Sequence, residues 1–236
     1  MANKLASKII DAGAFEIHSR LDPHHRASKL SDIILGGQDG LVNVLGVILG
    51  VAAATNDPRI VMAAGMAATF AESISMGAVA YTSTKADHAL YESEKAREHR
   101  HVHLVPALER EEIREIYRAK GFTSPLLDQI VETITANKEV WVAVMMAEEL
   151  KLAPIEKYAA RRAAWIVGVA AVIGSLIPLA PFTFLPVGIA NIVSIIFAGV
   201  TLFAVGAYKA RATVGHWGRS GMEMMVIGIL SALVGY

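Results

Sequence analysis

Apolar and polar residues are distributed along this chain in long blocks. Charged residues are absent between Arg162 and Lys209, and residues 33–56 and 60–84 each contain a single one. A transmembrane helix needs about 20 apolar residues, so the stretch after Arg162 is long enough for two crossings. The blocks predict five membrane spans, at about 33–55, 60–83, 163–180, 186–208 and 219–236.

Basic residues predict which side of the membrane each loop faces. Loops that stay in the cytoplasm are enriched in Lys and Arg. If the N-terminus is inside, every one of the 22 Lys and Arg except Arg59 falls in the N-terminal tail, the 84–162 segment or the 209–219 loop. We therefore expect a cytoplasmic N-terminus, a cytoplasmic 84–162 segment, and a C-terminus on the outer or luminal side.

The polar segment between the second and third spans predicts a helical domain. The second span continues without a helix breaker as far as Pro106, which indicates one long helix. Apolar spacing over 106–121, 123–136 and 138–152 indicates three more helices. The expected fold class is all-α, a polytopic membrane protein with five transmembrane helices and a cytoplasmic helical domain inserted between helices two and three. Its predicted parts are an N-terminal segment 1–30, transmembrane residues 31–84, the inserted domain 85–158 and transmembrane residues 159–236.

The composition fits a membrane protein and excludes several kinds of site. Residues of the hydrophobic types make up 54% of the chain, more than in most soluble domains. There is no cysteine, so disulfides, iron–sulfur clusters and thiolate metal sites are excluded. The net charge of zero gives no indication of nucleic acid binding. The first 30 residues contain no continuous apolar stretch, so we expect no cleavable signal peptide. We expect a short amphipathic helix and a linker in this segment.

Two carboxylates lie inside the first two predicted spans, and a third, Glu223, lies near the start of the fifth. Asp39 is the charged residue of the first span, and Glu72 is that of the second. A charged side chain in hydrocarbon costs several kcal/mol unless it is paired, protonated or bound to a metal. The spans offer no Lys or Arg as a partner for these acids, which leaves protons or a cation.

Helix geometry predicts that these acids lie near a methionine. With a rise of about 1.5 Å per residue, Asp39 lies about 9 Å and Met76 about 12 Å from the cytoplasmic ends of two antiparallel spans. Glu72 is one turn deeper on the same face as Met76, and Asn43, one turn beyond Asp39, adds an amide oxygen. A thioether is a soft ligand and favours a transition metal such as Fe²⁺ over Mg²⁺ or Ca²⁺. The alternative is that Met76 is a packing residue and Glu72 a neutral, hydrogen-bonded acid.

The inserted domain contains a second group of candidate metal ligands, at helical spacings. Carboxylates three residues apart on neighbouring helices form iron and manganese sites in helical bundles, and this set would suit Fe²⁺, Mn²⁺ or Zn²⁺. The alternative is a solvated face, because the second helix is rich in neighbouring Glu and Arg residues. The candidates are Glu94, Glu98 and His101 on the first helix, Glu109, Glu112 and Glu115 on the second, and Met145, Met146, Glu148 and Glu149 on the fourth.

Three motifs occur in a fixed order along the chain. The first is "DG" within SDIILGGQDGLVNVLGVILG, and the second is "ESISM" in the second span. The third is the set of Pro, two Glu, Ile-Tyr and Lys-Gly spaced along PALEREEIREIYRAKGF. Through them the chain resembles the vacuolar iron transporter family over nearly all of 26–236. The resemblance implies five spans and a homodimer with its pathway at the two-fold interface. It implies export of Fe²⁺, and often Mn²⁺, from the cytosol to a vacuole or the exterior, in exchange for protons and without an organic cofactor. The membrane would be vacuolar or a bacterial inner membrane.

The resemblance also implies roles for individual residues. It places the translocation residues at Asp39 and Met76, with Glu72 alongside. His101 stands where the family usually has a second glutamate on the first cytoplasmic helix, and imidazole is also a metal ligand. Family members usually run on beyond this C-terminus, which implies a longer tail. The remaining cytoplasmic ligands fall at Glu98, Glu109, Glu112, Met145 and Glu149, with Met146 beside them.

Other classes of function are left open by the residues themselves. A membrane-anchored iron-binding protein that does not transport would not need Asp39 or Glu72. A di-iron oxidase would use the cytoplasmic carboxylates for redox turnover. A proton-coupled carrier of an organic cation is a further class, although Met76 gives no reason for it. The metals Mn²⁺, Zn²⁺ and Co²⁺ suit the same ligands as Fe²⁺.

Overall fold

The computed structural model describes residues 24–213 and 215–234, and these are mostly helical. A short amphipathic helix and a linker were predicted for residues 1–30; residues 1–23 lie outside the described residues, and residues 24–30 belong to the first helix, His24–Ala54, and form no linker. A five-residue π-helix, Met145–Glu149, and a 3₁₀ turn, Ala180–Thr183, each follow directly after an α-helix. The α-helices are α1 His24–Ala54, α2 Pro58–Leu104, α3 Pro106–Ala119, α4 Leu126–Thr135, α5 Lys138–Val144, α6 Ala159–Leu179, α7 Val187–Ala212 and α8 Trp217–Val234.

Within the described residues, four segments are long and apolar enough to cross a membrane. They are Leu30–Ala54, Pro58–Leu104, Ala159–Thr183 and Val187–Ala212, and they correspond to the first four predicted spans. The fifth predicted span forms helix α8, which is 18 residues long and is not one of the four. Two charged residues, Arg219 and Glu223, lie in its first half.

Helix α2 confirms the prediction of one long helix through the second span. It runs for 47 residues without interruption and ends at Leu104. The residue before a proline is disfavoured in the α conformation, so Val105 leaves the helix. Pro106 is then the first residue of α3. Proline is tolerated there because the N–H of a first-turn residue makes no hydrogen bond within the helix. A single residue therefore separates the last turn of α2 from the first turn of α3.

The chain divides into two compact units. One, which we call the membrane unit, comprises the chain up to Ala80 and from Arg162 onward, and the other, the inserted unit, comprises Tyr81–Arg161. Helix α2 contributes residues to both. The core of the membrane unit lies between α1, the first part of α2, α6, α7 and α8. Its buried residues include Leu41, Val44, Leu45, Ile48, Leu179, Ala198, Leu202 and Ala232.

Glycines allow the backbones of α1 and α6 to pack directly against each other. A Cβ added at Gly40 would overlap the carbonyl oxygen of Ala171, and one at Gly36 would overlap the α6 backbone in the same way. On the α6 side, a Cβ at Gly174 would overlap the carbonyl group of Gly37. The four-residue spacing of Gly36 and Gly40 puts both on one face of α1, where the absence of side chains allows the close approach. These contacts leave α1 little freedom to rotate about its own axis.

We expect Gly40→Ala to destabilise the membrane unit by about 1–3 kcal/mol, because the added methyl group would overlap backbone that cannot move without displacing α6. Gly188→Ala is the matched control, since a Cβ at that helical glycine meets open space. The measurement is the thermal unfolding temperature of the purified protein in detergent. Equal unfolding temperatures for the two variants would show that the α1–α6 contact is not tight.

The inserted unit has its own core, and its last helix differs from the prediction. A single helix was predicted over 138–152, but α5 ends at Val144 and the helical run continues only as the π-helix to Glu149. There the Leu150 N–H donates to the Met145 carbonyl at 3.2 Å, and Lys151 adopts a left-handed φ of 53° that ends the run. The core includes Val102, Ile113, Leu127, Val131, Trp141, Met145 and Met146.

Candidate metal sites

The first candidate site is a pair of carboxyl groups on α1 and α2. The side chains of Asp39 and Glu72 are hydrogen-bonded to each other, and the Asn43 side chain is hydrogen-bonded to Glu72. An ionised carboxylate can only accept hydrogen bonds. A hydrogen bond between two carboxyl groups therefore needs a proton on one of them. The two helices hold a proton-binding group within apolar sequence.

Other polar side chains of α2 near this pair are satisfied within their own helix. The Thr69 hydroxyl donates to the Gly65 carbonyl at 2.8 Å, and the Ser73 hydroxyl donates to the Thr69 carbonyl at 2.6 Å. Such bonds to the preceding turn are the usual solution for hydroxyls in apolar helices. Glu72 differs from them because its hydrogen bonds cross to another helix.

The four predicted translocation residues differ in how the structure places them. Asp39, Asn43 and Glu72 are brought together by hydrogen bonds between their side chains. Met76 lies one turn from Glu72 on α2 and is partly buried. Asp39 and Glu72 are also only partly buried, and Asn43 is exposed. The site is therefore open on one side in a single chain.

The second candidate site lies in the inserted unit, where α2 ends and α3 begins. Glu98, His101 and Glu109 each offer a ligand atom, and these atoms all lie within 4.8 Å of one another. His101 Nδ1 is 3.2 Å from Glu109 Oε1. Glu98 is 3% exposed and Glu109 2% exposed, so this is not a solvated face. The three-residue spacing of Glu98 and His101 and the short link at Val105 account for the arrangement.

Electrostatic repulsion within this cluster is strong. Burial, followed by the neighbouring carboxylates of Glu112, Glu98 and Glu149, raises the pKa of Glu109 to about 7. Glu112 also hydrogen-bonds to Glu109. Burial and the carboxylates of Glu112 and Glu98 raise the pKa of Glu149 as well. Carboxylates that repel one another in this way favour either a shared proton or a bound cation.

One buried oxygen atom in the cluster supports a cation as the missing partner. Glu109 Oε2 is buried and has no hydrogen-bond partner among the described residues. A buried acceptor without a partner costs about 1–3 kcal/mol, and more when it is charged. The surrounding carboxylates and the imidazole of His101 form a ligand set of oxygen and nitrogen, which suits Fe²⁺, Mn²⁺ or Zn²⁺.

Arg97 is a member of this region that the sequence analysis missed. Its Nη2 lies 2.6 Å from Glu94 Oε2 and its Nε 3.6 Å from Glu98 Oε1. The Arg97 charge, followed by that of His101, opposes the rise in the pKa of Glu149. The three-residue spacing of Glu94 and Arg97 was the available signal, since residues at this spacing share a helix face. Arg97 engages Glu94 and partly balances the acids.

The remaining candidates occupy different surroundings. Glu148 forms an ion pair with Lys120, and Glu115 is exposed on α3. Met145 and Met146 are 0% and 2% exposed and belong to the hydrophobic core of the unit. The residues that the structure brings together are Glu98, His101, Glu109, Glu112 and Glu149.

The raised pKa of Glu109 predicts a pH dependence of metal binding. Below about pH 7 this carboxyl holds a proton that a metal must displace, so we expect Mn²⁺ affinity to weaken by up to about tenfold per pH unit there. Above pH 7 the dependence should level off. Calorimetric titration of the full-length protein with Mn²⁺ between pH 5.5 and 8 measures it, and Glu109→Gln should flatten the profile. An unchanged profile in that variant would assign the proton to another group.

The same pKa predicts how stability changes with pH in the absence of metal. The folded-state pKa of about 7 lies above the ordinary value of 4.5, so between these values the folded protein holds a proton that the unfolded chain has lost. The contribution of Glu109 to stability is therefore present at pH 4.5 and is lost as the pH rises through 7. Thermal unfolding in the presence of a chelator should show the metal-free wild type losing stability over this window relative to Glu109→Gln.

Apolar spanning helices with a hydrogen-bonded carboxyl pair, and a separate carboxylate–imidazole cluster, are features of a metal-ion transporter of the membrane. Residues 30–236 match the VIT family, and the chain belongs to that family. The match covers every residue of both candidate sites. The resemblance drawn from the sequence motifs is thereby confirmed.

Relatives named as vacuolar iron transporters cover most of the chain. A "Vacuolar iron transporter 1" of Tulipa gesneriana is 31% identical over 206 residues, which is 87% of this chain and 83% of the relative. Proteins of the same name from Eucalyptus grandis and Arabidopsis thaliana are each 30% identical, covering 95% and 91% of this chain and 92% and 87% of their own lengths. Similarity at this level over most of the length supports a role as a metal-ion transporter.

Proposed function

We propose that this protein is a proton-coupled antiporter that moves Fe²⁺, and also Mn²⁺, out of the cytosol into a vacuole or the cell exterior. The observation that carries the proposal is the hydrogen-bonded pair of Asp39 and Glu72 on α1 and α2. The names of the relatives support iron as the substrate. Cation and proton then compete for the same oxygen atoms.

The exchange follows from the chemistry of the carboxyl pair. Fe²⁺ loses its water ligands and binds the oxygen atoms of Asp39 and Glu72, with the amide oxygen of Asn43 and the thioether of Met76 as further ligands. The proton shared by the two acids must leave, because a carboxyl oxygen cannot hold a proton and a metal at once. When the site opens to an acidic compartment, protons return to the acids and displace the metal.

The cluster of the inserted unit acts earlier, by capturing metal from the cytosol. Its ligands are Glu98, His101, Glu109, Glu112 and Glu149, and its carboxylate repulsion is relieved when a divalent cation binds. Since the pKa of Glu109 is about 7, metal and proton compete there at cytosolic pH. Capture is therefore reversible, as a carrier requires.

A homodimer with five spans per chain completes the proposal. Asn43 is exposed in a single chain, and Asp39 and Glu72 are only partly buried. A carboxyl pair open to lipid is costly, so a second copy that covers this face would enclose the pathway. Helix α8 is the fifth span, with the N-terminus and the inserted unit on the cytoplasmic side, as the distribution of basic residues favours.

A di-iron oxidase is the main alternative, and one feature of the cluster is relevant to it. Glu98 and His101 have the Glu-x-x-His spacing found in di-iron carboxylate bundles. Those bundles use two such pairs, and Glu98 and His101 form the only one in this sequence. Oxidase activity would appear as oxygen consumption when Fe²⁺ is added, and we expect none above that of an empty control.

Metal uptake into proteoliposomes with an acidic interior tests the proposed function. The purified protein is reconstituted, and uptake of Fe²⁺, Mn²⁺, Co²⁺ and Zn²⁺ is measured with the gradient intact and after an ionophore has collapsed it. We expect Fe²⁺ and Mn²⁺ uptake that depends on the gradient. Metal binding without uptake would instead support a membrane-anchored iron-binding protein.

A further inference from the structure

A cavity in the inserted unit lies outside both metal sites. It has a volume of about 270 Å³ and is formed by the stretch of α2 from Tyr81 to His88 and by the chain from Ile155 to Arg161. The volume is slightly below the range of about 300–1,000 Å³ typical of pockets for drug-sized ligands. It therefore suits a compact polar group.

The lining of this cavity is basic and aromatic. Lys85, Lys157 and Arg161 line it together with one acid, Glu156, so positive charge predominates. The Nζ atom of Lys85 lies 5.9 Å from the centre of the Tyr81 ring, over its face, a cation–π arrangement that holds the ammonium group beside the cavity. Basic side chains that converge on a small cavity favour an anion, and both Arg and Lys form strong charge-assisted hydrogen bonds to phosphate.

The position of these residues in the sequence indicates where the anion comes from. Tyr81 lies where the apolar sequence of the second span changes to polar sequence, and Arg161 lies just before the apolar sequence of the third span. Both cavity walls therefore belong to the level of the lipid headgroups. Tyrosines are enriched at this level, and Tyr158, another lining residue, is 68% exposed.

We propose that this cavity binds the phosphate headgroup of an anionic phospholipid. Lys85, Lys157 and Arg161 contact the phosphate, and the rings of Tyr81 and Tyr158 lie against the glycerol region. Basic pockets at the ends of transmembrane helices bind lipid headgroups in this way. A lipid without net charge, such as phosphatidylcholine, brings its own ammonium group and is disfavoured by the positive lining. The proposal does not depend on the transport mechanism.

Native mass spectrometry of the full-length protein tests the proposal by counting bound lipids during titration with phosphatidylglycerol or phosphatidylcholine. We expect phosphatidylglycerol to bind more tightly. Each basic residue near an anionic headgroup contributes about fivefold to affinity, so Lys85→Gln with Arg161→Gln should weaken phosphatidylglycerol binding by about 25-fold. Lys157→Gln, in the turn before α6, should weaken phosphatidylglycerol binding by about fivefold. This variant provides an independent measurement if the double variant folds poorly.

The matched control removes two charges from the last turn of α7, which the distribution of basic residues assigns to the same side of the membrane. Lys209→Gln with Arg211→Gln should leave phosphatidylglycerol binding unchanged. An equal loss in both double variants would show diffuse surface attraction and overturn the proposal, as would equal binding of phosphatidylcholine. Displacement of the lipid by equimolar inorganic phosphate would identify a site for free phosphate and would also overturn it.

Discussion

Replacing Asp39 with alanine abolishes metal-driven proton movement through the reconstituted protein, with a loss of more than about 100-fold. Even residues that only support a metal ligand cost about 10–100-fold when removed, and Asp39 is proposed to hold both the metal and the proton. Glu72 would lose its carboxyl partner on α1. The measurement is the change in the internal pH of proteoliposomes when Mn²⁺ or Fe²⁺ is added outside.

The control for Asp39 is another acid in an apolar stretch. Glu223 lies on α8 and is exposed, and no part of the proposed mechanism uses it. Glu223→Gln should therefore retain proton flux within about twofold of the wild type, as substitutions away from functional features usually do. Retained flux in Asp39→Ala would remove Asp39 from the mechanism, even if metal still bound elsewhere in the protein.

The second large effect is expected in the inserted unit. Glu98→Gln with Glu112→Gln should weaken metal binding by more than about tenfold, because two anionic oxygen ligands become neutral amides. Transport should slow only in part, since the Asp39–Glu72 pair is intact. Calorimetric titration with Mn²⁺ gives the affinity, and initial uptake rates at low and high Mn²⁺ show whether excess metal restores transport.

A double variant with the same loss of charge separates ligation from general electrostatic attraction. Glu111 forms ion pairs with Arg114 and Arg118, and Glu132 is exposed on α4. Glu111→Gln with Glu132→Gln should leave the Mn²⁺ affinity nearly unchanged, because exposed pairs contribute about 0–1 kcal/mol. Equal weakening in both double variants would show that the acids attract the metal by their overall charge and do not ligate it.

The long stretches with few or no charged residues were sufficient to predict the first four spans. The absence of a helix breaker before Pro106 was sufficient to predict the long helix α2. Charged residues are costly in hydrocarbon, so their absence marks the spans directly. The rise per residue predicted Asp39 level with Met76 and Glu72 one turn deeper, whereas Asp39 is hydrogen-bonded to Glu72 in the structure. Their hydrogen bond depends in addition on how far each helix is rotated about its axis. That rotation is set by backbone contacts such as Gly40 against Ala171, which spacing along one helix does not specify.

The cluster of the inserted unit shows where sequence reasoning ends. The shared faces of Glu98 with His101 and of Glu109 with Glu112 follow from three-residue spacing. The π-helix at Met145–Glu149 was not predicted, because a widened turn leaves no periodic signal over five residues. Its single extra residue per turn changes which side chains face the core. Arg97 was missed because its effect depends on the burial of its neighbour Glu98. That burial is a property of tertiary packing.

The central claim is that metal and protons exchange on the Asp39–Glu72 pair. The most direct measurement is to record metal entry and internal pH together in wild-type proteoliposomes that start with equal pH on both sides and a clamped membrane potential. We expect the interior to become alkaline in step with Fe²⁺ or Mn²⁺ entry, and Asp39→Ala to show neither change. Metal entry at the wild-type rate with a constant internal pH would contradict the central claim.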